Sequence, residues 1–463
     1  MKFDNIDMKM NIQDFKTLSS NWKIDERLIL TSTVHTSKDG ASLEVVHAVE
    51  KDPKLSFEKL VFTGNVDECR EIHNAIESSI AGKRPRRLLV FINPRSGKRD
   101  AEKIYKKQVL PVFRMCGIET KEYVTKRAND VGDCLRNTHL DIYDGVVAVG
   151  GDGIYNEVMS GLLDREMRDN GRNPDDPEAQ LVQLRLPIGI VPAGSGNYTV
   201  WYLNGTKCPK TAALRIAMGQ CVPTNIASLH QGHTCTGYSG LILGFGLFGD
   251  MMKDCEQYRW MGTSRFKVIP VGTLLNRRPV NVTLSYIPTE SHSKSDVHNN
   301  VKIPKADFAR QVSVPVPSTN MARISFKKRT FSTSDMLEAP SDWRTAEDRV
   351  VYAVDTYPIT MEPCGEKMMP TFGEDSLRLL ITRKCKLTDH IRQLKAVDNR
   401  KSSCYEFDFV TTIKVQRYRV RVLKNETEDF YINCDGEVIR LHEPEFQVSL
   451  HKKVVQLYGR AGW

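Results

Sequence analysis

DGVVAVGGDGIYNEV, residues 144–158, changes its hydrophobic period halfway along. Up to Val149 it is a short β-branched apolar run, the pattern of a buried strand. From Ile154 the apolar positions switch to helical spacing, with Ile154, Val158, Leu162 and Leu163 on one side. Between them lie Gly150, Gly151 and Gly153, which let a backbone approach a ligand without Cβ clashes. The helix start beyond favours an anion. Asp152 is out of place in a plain phosphate cradle, because it repels phosphate. It fits a base, or a ligand on the metal side, beside a phosphoryl group in transfer.

Outward from this turn the pattern repeats. Residues 88–92 read as a second buried strand, followed by Asn93-Pro94-Arg95-Ser96-Gly97-Lys98, a turn with two cations to offset phosphate charge. The spacing then predicts a helix over 101–116, a strand over 119–125 and a helix over 131–138. A further strand, 186–192, ends in Ala193-Gly194-Ser195-Gly196-Asn197. Strands alternating with helices predict a parallel sheet. The three small-residue turns then share the carboxyl edge of that sheet, where open α/β folds bind ligands. The polar stretch 165–180, with Gly171, Pro174 and Pro177, reads as a loop.

On either side the pattern differs. Residues 1–83 read as a small β-rich module with strands over 22–33, 42–49 and 57–63. A helix over 65–80 follows, turning Cys69, Ile72, Ile76 and Ile80 inward. Strands closed by one helix suggest a pleckstrin-homology-like fold. Beyond Cys221, strands come at short intervals: 225–230, 238–243, 280–286, 376–382, 407–410, 413–422, 446–450 and 454–458. They predict an antiparallel β domain, interrupted over 288–346 by a mobile insertion rich in Ser, Thr, Pro and Lys. The expected units are 1–83, 84–221 and 222–463.

The 463 residues are 40% hydrophobic and 27% charged, as in ordinary soluble proteins. A formal net charge of +9 favours anionic partners. The basic clusters at 83–87 and 327–329 lack the interleaved aromatics of a single-strand groove, so nucleic acid is not an expected partner. The 11 cysteines show no C-x-x-C and no zinc-ligand spacing, which predicts reduced thiols in the cytoplasm. No apolar stretch has the length of a bilayer span, and the N-terminus has no signal-peptide core. A lipid substrate would therefore be met at the membrane surface.

Gly244-Phe245-Gly246-Leu247-Phe248-Gly249 has the spacing of a dinucleotide fingerprint. It lies in the β-rich part with no βαβ unit after it, so glycines bending strands around an apolar chamber fit better. Residues 250–266, DMMKDCEQYRWMGTSRF, place Arg259 and Arg265 where they reach phosphates or serve a charged helix face. Asp435-Gly436-Glu437 puts two carboxylates at a turn between strands. Neither a P-loop nor the H-R-D and D-F-G of protein kinases occurs.

Five motifs carry a resemblance: LLVFINPRSGK (88–98), YDGVVAVGGDGIYNEV (143–158), GIVPAGSGN (189–197), GDMMKDCEQYRWMGTSRF (249–266) and INCDGEVI (432–439). Together they resemble the diacylglycerol-kinase-type catalytic domain of lipid kinases, ceramide kinases most and sphingosine kinases next. The resemblance implies an α/β nucleotide-binding lobe plus an antiparallel β-rich lipid-binding lobe, preceded by a small β-rich PH-like module. ATP and Mg2+ are the implied cofactors. Carried over, Asn93, Pro94 and Arg95 contact the nucleotide, as do Thr125, Lys126, Arg127, Ala128 and Asn129. Glu157 and Gly194 do the same, and Arg259 and Arg265 hold phosphates. Asp435, Gly436 and Glu437 return from the far lobe to complete the site through Mg2+. Asp152 becomes the base on the lipid's primary hydroxyl, where Gly150, Gly151 and Gly153 line the meeting point. Met252 stands where sphingosine kinases carry an acidic residue for the substrate's amine, and a neutral thioether suits an amide-acylated lipid. The expectation is an enzyme, peripheral at membranes, that phosphorylates ceramide or a related sphingolipid. Alternatives are a long-chain-base or diacylglycerol kinase, more distantly a NAD kinase, and a non-catalytic lipid-binding protein.

Overall fold

The computed structural model describes residues 8–11, 26–37, 40–289, 342–347, 349–364, 367–398, 404–423 and 429–460. Most of the expected insertion, and the start of the strand expected from Trp22, lie outside the described residues.

In the N-terminal module, β1 (Met8–Asn11), β2 (Ile29–Ser37), β3 (Gly40–Lys51) and β4 (Lys54–Gly64) form a sheet in the order β1-β4-β3-β2. Helix α1 (Val66–Ile80) covers one face. Asn65 starts the helix, its Oδ1 accepting from the Glu68 amide at 2.8 Å, with Asp67 and Glu68 complementing the first turn. Cys69, Ile72, Ile76 and Ile80 recur at helical spacing and bury against Leu43, Val45, Leu60 and Phe62. Leu30, Val46, Ala48 and Leu55 face the other way and join the core of the next unit. There the Leu55 amide donates to Thr211 Oγ1 at 3.0 Å, and Arg215 pairs with Glu50 at 2.9 Å.

The next unit holds β5 (Arg87–Ile92), β6 (Glu119–Val124), β7 (Gly145–Gly150) and β8 (Ile188–Pro192), all parallel, in the order β6-β5-β7-β8. Its helices are α2 (Ala101–Ile104), running through a π-helical turn (Tyr105–Val109) into α3 (Leu110–Met115), then α4 (Asp130–Asn137), α5 (Asp152–Asp169), α6 (Tyr198–Asn204) and α7 (Pro209–Met218). Alternate strand residues feed two cores. Leu89, Phe91, Val146 and Ala148 pack with α4 and α5, while Leu88, Val90, Val147 and Val149 pack with the α2–α3 run and α7. The chain leaves β5 for β6 and crosses back to β7. Strand order therefore reverses between β5 and β7, which opens a crevice at their carboxyl ends. α5 runs five residues into the segment read as a loop from 165, ending at Asp169. Glu166 and Met167 keep its inner face buried, and Arg185 pairs with Glu166 at 2.9 Å.

The β-rich part contains β9 (Cys221–Gln231), β10 (Thr234–Ser239), β11 (Leu243–Gly246), α8 (Leu247–Gln257), α9 (Arg265–Leu275) and β12 (Val280–Pro288). It continues through β13 (Arg344–Thr345), β14 (Val350–Tyr357), the hairpin β15 (Thr360–Cys364) and β16 (Lys367–Thr371), β17 (Leu377–Arg383) and α10 (Leu387–Asp398). β18 (Val410–Val422), β19 (Tyr431–Cys434), β20 (Glu437–Arg440) and β21 (Glu445–Tyr458) complete it. β21 was expected as two strands. It is one, with a register slip between His451 and Val455 where Lys453 takes a φ of 55°. β21 runs antiparallel to β9 and β18, and its Leu457 meets Ile188 of parallel β8. One sheet thus extends from β6 to β20.

Two further strand readings shift. The strand expected over 238–243 breaks into β10 and β11, because residues 239–242 wrap around Asp435. The strand expected from Phe407 starts at Val410, whose amide closes a turn onto the Phe407 carbonyl at 2.9 Å. The glycines over 244–249 allow close approach. A Cβ on Gly249 would lie 1.9 Å from the Tyr431 oxygen, so only glycine lets α8 lie down on β19.

Candidate active site

The three glycine turns are stacked on one another. A Cβ on Gly194 would stand 2.3 Å from Gly151 Cα, and one on Gly97 would stand 2.6 Å from the Ala193 oxygen. Backbone bonds fix the stack: Asn93 N to Val149 O at 3.0 Å, Ala193 N to Gly150 O at 2.7 Å, and Gly194 N to Gly150 O at 3.0 Å. Asn197 closes the third turn, accepting from the Gly194 amide at 3.0 Å and donating to the Gly194 carbonyl at 2.8 Å.

Asp152 projects from the first residue of α5 into this stack. Its Oδ1 accepts from the Thr199 amide at 3.0 Å and its Oδ2 from the Tyr198 amide at 3.1 Å, both in the first turn of α6. A Cβ on Gly196 would lie 2.9 Å from Oδ2. Two of about four lone-pair directions on the carboxylate are thus taken by backbone, and the group is partly open to solvent.

One helical turn on, α5 touches the β-rich part. Asn156 Nδ2 donates to the Tyr238 carbonyl at 2.8 Å and to Asp435 Oδ2 at 3.1 Å. Asp435 and Gly436, with φ of 51° and 97°, form the tight turn between β19 and β20. The Asp435 carboxylate is buried and takes four more donors: Ser239 Oγ at 2.6 Å and the amides of Gly240, Leu241 and Ile242 at 2.8, 3.1 and 2.8 Å. Burial pushes its carboxyl above the ordinary range, and the donors oppose that shift.

Glu437 reaches water but is crowded enough that lost hydration, then Asp435 and Glu256, raise its carboxyl. Glu157 on α5 accepts from the Val131 amide at 3.3 Å. Its carboxyl is raised by burial first, and Glu437 adds to the shift. Carboxyl groups from both parts of the chain, Glu157 and Glu437, are therefore within electrostatic reach of one another.

The remaining expected residues divide. Thr125 is buried against the Asn93 turn, its amide donating to the Ile92 carbonyl at 2.9 Å. Asp130 then folds the loop back, accepting from the Lys126 amide at 2.6 Å and the Arg127 amide at 3.3 Å. Lys126, Arg127, Ala128 and Asn129 stay exposed, Asn129 with a φ of 63°. Arg127 pairs with Asp130 and Asp133, whereas Arg95 is exposed at the turn with its amide on Asn93 Oδ1. Pro94 lies between them in the same turn. Arg265 opens α9, its guanidinium stacked over Phe266 at 4.6 Å. Arg259 opens the 3-10 turn before it, and its side chain lies outside the described residues. Among the described residues, no three His, Cys, Asp or Glu side chains gather into a ready-made metal cage. Sequence reasoning passed over Asn156 and the Ser239–Ile242 amides. The signal for Asn156 was its i+4 spacing from Asp152, which puts both on one helix face.

Residues 87–229 match the diacylglycerol kinase catalytic domain family. Ceramide kinase of Mus musculus is 30% identical over 409 residues, covering 81% of this chain and 75% of the relative. Sphingosine kinase 1 of Arabidopsis thaliana is 36% identical over 209 residues, covering 44% of this chain and 40% of the relative. A solved diacylglycerol kinase from Bacillus anthracis shares the fold with a TM-score of 0.51 at 14% identity, over 81% of this chain and 98% of that one. A doubly wound sheet with stacked glycine turns, joined to a β-rich half, thus defines a lipid kinase with a diacylglycerol-kinase-type catalytic domain. The chain belongs to the ceramide kinase-like family within that class, whose activity implies the use of ATP.

Proposed function

We propose that this chain transfers the γ-phosphoryl group of ATP to the primary hydroxyl of ceramide, giving ceramide 1-phosphate. The observation that carries this is Asp152, held by two backbone amides where the three glycine turns meet. Asp152 takes the hydroxyl proton as the lipid oxygen bonds to the γ-phosphorus and the bond to the β,γ-bridging oxygen breaks. The glycine turns admit the phosphates closely, and Asn93 to Arg95, Thr125 to Asn129, Glu157 and Gly194 border the nucleotide. Arg95, Lys98 and Lys126, all exposed along this edge, offset phosphate charge, and the resemblance assigns the same role to Arg259 and Arg265 of the β-rich half. Asp435 acts at one remove, by holding residues 239–242 against α5.

A divalent cation fits the same place. Glu157 and Glu437 are hard oxygen donors, each raised first by burial, Glu157 further by Glu437 and Glu437 further by Asp435 and Glu256; a cation there would offset that crowding of negative charge, and Mg2+ commonly binds one or two carboxylates plus phosphates. When bound it would offset charge on the transferring group. The N-terminal module serves as a PH-like unit over 1–83, with a nucleotide lobe over 84–221 and a lipid lobe over 222–463.

Membrane contact completes this reading. No helix among the described residues is long and apolar enough to cross a bilayer. Yet Trp260, Phe266, Val268, Val271 and Leu275 are all exposed on α9 and the turn before it, Trp260 by 80%. Such a cluster suits the boundary between headgroups and acyl chains. A Val271→Glu chain is expected to sediment with phosphatidylcholine–ceramide vesicles at least about fivefold less than the parent. Unchanged sedimentation would remove this face from the reading.

Initial rates on ceramide, sphingosine and diacylglycerol in mixed micelles test the acceptor. The expected result is a preference for ceramide. A strong preference for sphingosine would end the ceramide assignment while leaving the kinase chemistry in place.

A further inference from the structure

In β14 a carboxylic acid is buried with nothing to bind. Asp355 is 2% exposed, and its Oδ1 has no hydrogen-bond partner. Burial alone pushes its carboxyl well above the ordinary range. The groups within electrostatic reach are Tyr357, Tyr418 and Cys404, none of them a cation. An isolated buried acid costs stability, because protonation removes the charge but leaves polar atoms unsatisfied. A core that needed no polar group there would be better served by leucine.

Its position is informative. Asp355 pairs across the sheet with Gly244 on one side and Leu380 on the other. Gly244 lets Phe248 of α8 close over the carboxyl, since a Cβ there would lie 3.0 Å from Asp355 Oδ1 and 2.6 Å from Phe248 Cβ. Apolar side chains flank this spot: Leu247, Phe248 and Met251 of α8 on one side, Leu380, Tyr357 and Phe409 on the other. Gly244 is two residues along the chain from Ile242, whose amide holds Asp435, a spacing of roughly 7 Å in extended chain. Asp435 in turn lies with Asp152 around the buried Tyr155 ring. Tyr202 of α6, the helix whose start Asp152 caps, is within electrostatic reach of Tyr357. The buried acid therefore stands one short step into the β-rich half from the phosphoryl-transfer edge.

We propose that the Asp355 carboxyl is the polar contact for the uncharged amide and neighbouring hydroxyl of the acceptor lipid, bound with its chains beneath α8. This rests on the lipid-kinase reading above and names the group that selects within it. A protonated carboxyl offers one donor and a free acceptor, which match a lipid N–H and hydroxyl. An ammonium would have to be stripped of water and would require the acid to ionise in an apolar setting, so a free-amine lipid is disfavoured. An acceptor lacking the N–H leaves Asp355 as unsatisfied as before.

Two variants of the full chain test this with ceramide, sphingosine and diacylglycerol in mixed micelles. Asp355→Asn keeps a neutral donor and acceptor of the same shape. Its KM for ceramide is expected within about threefold of the parent. Asp355→Leu removes both groups, and its KM for ceramide is expected to rise about tenfold or more, the worth of one lost buried hydrogen bond. kcat and the KM for diacylglycerol should change far less, and melting should occur no lower than in the parent. Equal ceramide KM values in the parent and Asp355→Leu overturn the proposal. So does a loss spread evenly over all three acceptors, the mark of a structural role. A collapse of activity on sphingosine in Asp355→Asn would show that the acid pairs with an amine instead. A parent chain that ignores ceramide defeats the functional reading and this inference together, whereas the variant outcomes defeat the inference alone.

Discussion

Asp152→Asn is expected to slow phosphoryl transfer by about a thousandfold while the protein stays folded. The chemical term is the loss of a proton acceptor where an alcohol attacks phosphorus, typically worth 10²- to 10⁴-fold. The structural term is small. The asparagine oxygen can still accept from Tyr198 or Thr199, but its NH₂ then faces the other amide. One helix-start bond is lost, at a cost of ~1 kcal/mol. Single-turnover rates with ATP and ceramide, read beside thermal melts, separate the two terms. A variant that keeps its rate within about tenfold of the parent would show that Asp152 is not the base.

Asp435→Ala is expected to be the most damaging change to the structure around the site, costing on the order of 4 kcal/mol or more. Five donors converge on this buried carboxylate, three of them backbone amides that define the path from β10 to β11 and one from α5. Alanine leaves them all facing a void. Asparagine has a single acceptor oxygen and should cost about 2 kcal/mol. Denaturant titration would order the three proteins as parent, Asn, Ala. An alanine variant as stable as the parent would mean that the loop holds itself. Activity should fall with stability, because Ser239–Ile242 loses its grip on the helix that carries Asp152 and Glu157.

Local pattern carried much of the architecture. The switch from strand to helix at Val149–Ile154 and the glycine turns after β5, β7 and β8 are short-range signals, and they placed one edge of a parallel sheet correctly. The inward face of α1 was equally plain, because Cys69, Ile72, Ile76 and Ile80 follow helical spacing after an Asn cap. Long-range pairing was not legible. β21 looked like two strands because residues 451–453 interrupt its apolar pattern, while its continuity comes from pairing with β9. β14 was passed over because it follows the insertion and carries Asp355 and Thr356 amid its apolar residues. The extension of α5 past Asp164 depends on the partner Arg185, which no local spacing reveals. At the site, the sequence pointed to Asp152 and the Asp435 turn but not to the way Asp435 is saturated. That depends on amides, and every residue but proline has one.

β21 also bears on how the two halves move. It is hydrogen-bonded to the β-rich half through β18 and to the parallel unit through β8, with β9 alongside for most of its length. The halves are therefore not two bodies on a slack tether. Opening or closing the space between them has to flex this shared ribbon, and the place least able to resist is the slip at His451–Val455, where Lys453 already departs from extended geometry. A ribbon shared in this way would limit any swing between the halves and favour one alignment of the glycine turns with the Asp435 turn.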